Sequence, residues 1–268
     1  NMNILVIGGG NMGKTFAQGI LKSNIVSKQE LFIFENYENK VIELNNEQIG
    51  TAFSSVDDRF EKADIYILAV KPQDAPTLFA ILAPFIQAHK MVLSIMAGIK
   101  INEMKKGTGA AKVIRAMPNL PSSIGMGTTG YVASKELTEE DKIVVEQITS
   151  SVGVSIELKN EEEIDSITAI SGSGPAYVFY FMDAMIQAGI QLGFDKEVAT
   201  NLVIQTFEGS VQMLKENDAT CQEWIKRVSS KGGTTQAAIT EFDNNNVKNL
   251  IGKGVLKAEQ RSKELSKA

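Results

Sequence analysis

The chain has 268 residues, 43% of them hydrophobic, which is enough for one large domain or two of ordinary size around a sizeable core. Its net charge is −5 with no basic block, so a nucleic-acid backbone is not an expected partner. One cysteine, Cys221, and one histidine, His89, exclude an internal disulfide, a cysteine-built metal site and a multi-histidine site within one chain, and no metal is expected.

No apolar run reaches the ~18 residues of a membrane span. The first apolar run reads as a strand and not as the core of a signal peptide. No membrane is therefore an expected partner, and a reducing cytoplasm is the expected location.

In chain order, Asn3 to Ile7 reads as a strand, and Asn11 to Lys22 as a helix with Met12, Phe16 and Ile20 on one stripe. Leu31 to Phe34 is a short buried strand ending at Glu35, followed by a helix from Glu38 to Leu44 and a short strand from Thr51 to Phe53. Asp64 to Val70 is a fourth strand, closed by Lys71-Pro72. A helix from Ala75 to Ile86 leads past His89, in a polar turn, to a strand from Lys90 to Ile95. Lys112 to Arg115 and Gly125 to Ser134 are further strands. Thr138 caps a helix reaching Ser151, and Val154 to Leu158 is the last strand.

Strands alternating with helices imply βαβ units and a doubly wound, Rossmann-like parallel sheet. The charged stretch Lys159 to Glu163 has no apolar period, so the boundary is drawn there, giving residues 1–159 and 160–268. The second part reads as all helical: Pro175 to Leu192, Lys196 to Leu214, Cys221 to Val228, Gln236 to Phe242 and Val247 to Leu265. A helix as apolar as Ala176 to Ala188 needs cover all round. About a hundred residues of helix can hardly supply it, so a homodimer through this domain is expected.

The glycine cluster after the first strand carries the clearest chemistry. Gly8, Gly10 and Gly13 take the three glycine positions of G-x-G-x-x-G. The first allows the bend, the second lets backbone approach a pyrophosphate, and the third lets the helix pack close. A structural glycine turn is the alternative. Ligands of such sheets bind beyond the carboxyl ends of the strands. The expected cofactor-facing residues are thus Ile7, Gly8, Gly9, Gly10, Asn11, Met12 and Gly13 in the first turn; Glu35 and Asn36; Ala69, Val70, Lys71 and Pro72; Ala97 and Gly98; and Pro118 and Asn119.

Glu35 lies about 20 residues after Gly13, where a carboxylate holds the ribose of NAD. No arginine lies nearby in the sequence, and Lys40 is the only close cation, so the site leans to NAD over NADP. A helix-capping acid is the other reading of Glu35. Lys71 reads equally as a phosphate or ribose contact and as a solvated lysine. The two prolines in Arg115-Ala116-Met117-Pro118-Asn119-Leu120-Pro121 make a rigid loop, which suits a nicotinamide pocket or a structural turn.

A second focus is Ser229-Ser230-Lys231-Gly232-Gly233-Thr234-Thr235, with a helix directly after it. Backbone N–H groups at such a start suit a carboxylate; an ordinary N-cap is the alternative. Ser171-Gly172-Ser173-Gly174-Pro175 opens the apolar helix and reads more as a cap.

Taken together, Ile7-Gly8-Gly9-Gly10-Asn11-Met12-Gly13, Ala69-Val70-Lys71-Pro72, Ser94-Ile95-Met96-Ala97-Gly98, Arg115-Ala116-Met117-Pro118-Asn119, Ser171-Gly172-Ser173-Gly174-Pro175-Ala176-Tyr177 and Gly232-Gly233-Thr234-Thr235 resemble the pyrroline-5-carboxylate reductase family. The resemblance covers almost the whole chain. It implies NAD(P)H-dependent reduction of the small molecule 1-pyrroline-5-carboxylate to L-proline, a Rossmann domain, and a helical domain that interlocks with its dimer mate; a higher oligomer of dimers stays open. It further implies that the Gly233 and Thr234 N–H groups and the Ser230 hydroxyl hold the substrate carboxylate. Thr235 would bond the imine nitrogen, Gly232 would belong to the same substrate loop, Val228 would border the ring, and Glu161 would lie at the edge of the substrate pocket. Lys231 stands where the family commonly has proline, and Met96 replaces a smaller residue.

Two other readings compete. A β-hydroxyacid dehydrogenase relative needs a lysine in the second domain's helix, and Ser173 to Gly193 has none. A non-catalytic NAD(P)-sensing module would not need a carboxylate loop.

Overall fold

Ile4-Leu5-Val6-Ile7 offers no polar side chain, so a strand made from it must be covered on both faces. In the computed structural model, which describes residues 1–267, this segment is β1 (Ile4–Ile7), inside an eight-stranded sheet. It pairs in parallel with β2 (Leu31–Phe34) on one side. Beyond β2 lies β3 (Thr51–Phe53), and on the other side of β1 lies β4 (Ile65–Leu68). The sheet continues through β5 (Met91–Ser94), β6 (Lys112–Met117), β7 (Gly127–Ala133) and β8 (Gly153–Glu157), giving the order 3-2-1-4-5-6-7-8.

The helices of this part are α1 (Asn11–Lys22), α2 (Glu38–Asn46), α3 (Asp58–Lys62), α4 (Ala75–Leu82), α5 (Ile101–Thr108) and α6 (Glu139–Ser150). Successive strand residues face opposite ways. Ile4 and Val6 therefore pack with Phe16 and Ile20 of α1 and with Val145 and Ile148 of α6. Leu5 and Ile7 pack on the other face with Phe60, Leu78, Phe79 and Met104. Both faces are covered, as the apolar strand runs require. Each such large side chain contributes about 1.5–3 kcal/mol when fully buried.

Local departures from the expected elements have physical causes. β7 runs antiparallel to β6, while β8 is parallel to β7. The connection from Met117 to Gly127 is too short for a parallel crossover, which takes a dozen or more residues. Gly125, at φ +73°, ends a 3-10 turn over Leu120–Ile124, so the strand starts at Gly127. Pro84 lacks the N–H that would extend α4, and the helix tightens into a 3-10 turn at Ala83–Phe85. Two helices, α3 and α5, lie where none was expected. α5 has only Ile101, Met104 and Thr108 buried.

The chain forms two compact units, Asn1–Ser173 together with the segment from Ala258 onward, and Gly174–Lys257. The position between residues 159 and 160 falls in a turn before α7 (Glu163–Ile167), which continues as a π-helical segment, Thr168–Gly172. The second unit contains α8 (Gly174–Gln191), α9 (Lys196–Glu216), α10 (Cys221–Val228), α11 (Thr234–Asn244) and the first part of α12 (Val247–Lys267). Phe181 meets Phe207 edge-on at 6.1 Å, and Gly189 of α8 faces Ala199 of α9. Yet α8 has no buried residue among those described; Phe179 is 58% and Tyr180 83% exposed in the single chain.

Candidate functional site

The glycine turn is built by steric exclusion. Gly8 adopts φ +107°, and a Cβ there would lie 2.5 Å from the Ala69 carbonyl oxygen. A Cβ on Gly13 would strike the Gly8 carbonyl, so only glycine lets α1 start this close to the sheet. Gly10, by contrast, faces open space, with no heavy atom within 4 Å of where its Cβ would sit. The first-turn N–H groups of α1 lie beside that space. A helix start of this kind attracts an anion.

Glu35 follows β2 and is only 7% exposed. Its Oε2 accepts the Gly9 N–H at 2.8 Å and its Oε1 accepts the Tyr37 N–H at 3.2 Å. The carboxylate thus ties the glycine turn to the start of α2. No arginine is close to Glu35 in the sequence, but the fold brings Arg59 onto the neighbouring strand β3. Arg59 stacks its guanidinium 3.9 Å over the Phe53 ring, and the Phe53 carbonyl accepts the Glu35 N–H at 3.0 Å. The arginine is taken, however: it grips both Asp57 oxygens, with Nη2 at 2.5 Å from Oδ2. Its hydrogen bonds hold the Asp57 carboxyl below the usual carboxylate range. Asn36 is exposed, and Lys40 lies 5.2 Å over the exposed Tyr37 ring.

Further along the carboxyl edge, Lys71 and Pro72 are exposed and Ala69 and Val70 half-buried. Met96, Ala97 and Gly98 follow β5 and, with Arg115, Ala116 and Met117, line a cavity of about 310 Å³. Ile164, Thr168 and Ser173 line it too, as do Ala258, Arg261, Ser262 and Leu265 of α12. Ser262 Oγ donates to Asp165 Oδ1 at 2.7 Å, tying α12 to α7 there. Arg115 is buried, and its Nη1 donates to Glu161 Oε2 at 3.0 Å. Pro118 is buried. Asn119 donates from Nδ2 to the Ser171 carbonyl at 3.0 Å and accepts the Thr128 N–H on Oδ1 at 2.8 Å.

In the second unit, a Thr220–Glu223 capping box starts α10, and Val228, at its end, is exposed. Gly232 takes φ +72° and donates its N–H to Gln236 Oε1 at 2.6 Å. The Gly233 N–H donates to the Ser230 carbonyl at 3.0 Å, and α11 begins at Thr234, two residues earlier than its apolar pattern predicts. Thr234 and Thr235 therefore supply first-turn N–H groups, which have no acceptor within their own helix. Thr234, Ser230 and Lys231 are exposed; Thr235 is half-buried.

Residues 161–265 match the family described as pyrroline-5-carboxylate reductase dimerisation, and residues 3–98 match one described as NADP oxidoreductase, coenzyme F420-dependent. The pyrroline-5-carboxylate reductase of Pseudomonas aeruginosa is 34% identical over 98% of this chain and 96% of its own. This chain belongs to the pyrroline-5-carboxylate reductase family. The Aquifex aeolicus pyrroline-5-carboxylate reductase is also 34% identical, over 98% of this chain and 97% of its own. Among solved structures, the Coxiella burnetii pyrroline-5-carboxylate reductase superposes with a TM-score of 0.92 at 33% identity, covering 100% of this chain and 99% of that one. A Plasmodium falciparum pyrroline carboxylate reductase with NADP bound has a TM-score of 0.88 at 32% identity, with 99% and 98% covered.

For a pyrroline-5-carboxylate reductase family member, the fold brings the expected Gly8–Gly13 turn, Glu35 and Ala69 together at one end of the sheet. It also brings Ala97 and Gly98 to the same cavity as Arg115. What sequence reasoning missed is the pairing of Arg115 with Glu161 and the proximity of Arg59. The signals were weak: an arginine between apolar residues of a strand, and an Asp-x-Arg step at the start of a short helix. His89, as expected, is an exposed turn residue, 3.9 Å from Asp64 Oδ1. No helix of the described residues is long and apolar enough to cross a membrane.

Proposed function

We propose that this chain reduces the C=N bond of 1-pyrroline-5-carboxylate to give L-proline, with a reduced nicotinamide dinucleotide as hydride donor. One observation carries the reading: relatives named for this reaction match 98% of the chain, a length that includes both the glycine turn and the Gly-Gly-Thr-Thr loop. The residues present fit the cofactor, since the space over Gly10 and the start of α1 suit a pyrophosphate.

Ile7 and Gly8 to Gly13 hold the pyrophosphate, with Ala69 to Pro72 along the same edge. Glu35 and Asn36 take the adenosine ribose; Ala97, Gly98, Pro118 and Asn119 flank the nicotinamide end. When bound, the cofactor supplies the hydride that the imine carbon accepts. The chain's own part is placement, because reacting atoms must be held at about 3–3.5 Å in alignment. The Thr234 N–H and the Ser230 hydroxyl hold the substrate carboxylate, joined by the Gly233 N–H when it exchanges the Ser230 carbonyl for the substrate, with Gly232 shaping the turn. The Thr235 hydroxyl donates to the imine nitrogen, the atom that gains a proton. Val228 borders the ring, while Glu161 is engaged by Arg115 and by the Ile101 N–H.

NADH is the favoured cofactor. A buried Glu35 carboxylate suits ribose hydroxyls and repels a 2′-phosphate, and Asp57 already occupies the nearby Arg59. Two copies join through the helices of the second unit, which supplies the cover that α8 lacks in the single chain. The deciding assay is oxidation of NADH or NADPH with pyrroline-5-carboxylate at neutral pH. Substrate-dependent oxidation with L-proline as product is expected; no oxidation with either cofactor removes the reading.

A further inference from the structure

The loop Ile95 to Lys100 leaves β5 and enters α5, and it carries Met96, Ala97 and Gly98, one wall of the cavity. Its ends are held by side chains. At the start, Ser94 Oγ accepts the Met96 N–H at 3.1 Å. At the end, the Ile101 N–H is the first donor of α5 and has no acceptor within that helix. Glu161 Oε2 takes it at 2.9 Å. The same oxygen accepts Arg115 Nη1 at 3.0 Å, and Arg115 is the register partner of Ser94 across β5 and β6.

One carboxylate therefore closes a ring from β6 through β5, around the loop, and back by way of α5. The Arg115 side chain is 4% exposed and lines the cavity. Its Nε has no hydrogen-bond partner among the described residues. A buried guanidinium of this kind depends on the partner it has. Gly98, at φ +75°, gives the loop its bend but no stiffness of its own.

We propose that Glu161 is a positioning residue that fixes the Met96–Gly98 wall against Arg115 for the cofactor, and that it does not bind the substrate. This rests on the reductase reading for the identity of the ligand; the loop's tether does not depend on it.

The test uses the full chain with Glu161→Gln, which keeps an acceptor for the Ile101 N–H but loses the charge facing Arg115. Glu161→Asp, which keeps the charge and shortens the reach, is the second variant. Three quantities are read: hydrogen exchange of residues 95–103, affinity for the reduced cofactor without substrate, and KM for pyrroline-5-carboxylate at saturating cofactor. In both variants loop exchange should quicken about tenfold and cofactor affinity fall about tenfold, with KM changed less than about twofold. A raised KM with unchanged exchange and cofactor affinity overturns the proposal and makes Glu161 a substrate ligand. Three unchanged quantities also overturn it. A wild-type chain that does not reduce pyrroline-5-carboxylate fails the proposed function instead, and exchange and cofactor affinity still decide the role of Glu161.

Discussion

Gly9 donates its backbone N–H to Glu35 Oε2 at 2.8 Å, and this bond joins the glycine turn to the end of β2. The two residues are 26 apart in the chain. They meet because β1 and β2 are parallel neighbours in register, Ile7 opposite Phe34, so both chain reversals emerge at the same edge. The carboxylate keeps lone pairs for ribose hydroxyls beyond its two backbone donors.

Glu35→Ser should lower NADH affinity about tenfold, the scale of one lost hydrogen bond to a charged group. NADPH affinity should hold or improve, because a fixed negative charge is gone. Paired fluorescence titrations without substrate check this. Equal weakening of both cofactors would leave Glu35 with a purely structural part.

Thr235→Ala removes the hydroxyl assigned to the imine nitrogen. Loss of one such bond in the transition state should cut kcat/KM about ten- to a hundredfold, with cofactor affinity nearly unchanged. Unaltered turnover of pyrroline-5-carboxylate takes Thr235 out of the mechanism.

Tyr180→Glu puts a charge on an α8 position that is 83% exposed in the single chain. If a second copy covers that face, the variant should shift from dimer to monomer in light scattering after gel filtration. The same measurement on the unaltered chain reads any assembly of dimers. An unaltered chain that is monomeric at micromolar concentration contradicts the dimer.

Asp141 gives a pH test. Burial raises its pKa, but the Lys112 ammonium at 2.6 Å and bonds from Thr138 outweigh it, and the net shift is downward from 3.8. A depressed folded pKa contributes stability that is present above the unfolded value and lost as pH falls through the folded one. Asp141→Asn should therefore cost about 1–2 kcal/mol at neutral pH. Urea unfolding should show the gap from wild type closing as pH drops below about 4, where the unfolded aspartate titrates. A gap independent of pH would assign the loss to packing.

Much of the first unit was legible locally. Ile4 to Ile7, Leu31 to Phe34 and Ile65 to Leu68 are runs that only a strand covered on both faces can bury. α10 has the bounds its short pattern predicts, Cys221 to Val228, and the structure adds a Thr220–Glu223 capping box at its start. α5 was not legible: three buried positions in eight, two adjacent lysines and a glycine leave too little pattern. Its stop at Gly109, in the left-handed region, was the available signal.

The sequence by itself determined the class of strand, the glycine turn and the helical second part, because each depends on periods and backbone limits within about twenty residues. It also carried the family resemblance, in blocks spread along the chain. Only the tertiary structure decided that β7 reverses, that Arg59 stacks on Phe53 of β3 while held by Asp57, and that Glu161 answers both Arg115 and Ile101. Those facts depend on strand order and on which side chains meet across neighbouring strands, roughly 5 Å apart, a distance that separation along the chain does not encode.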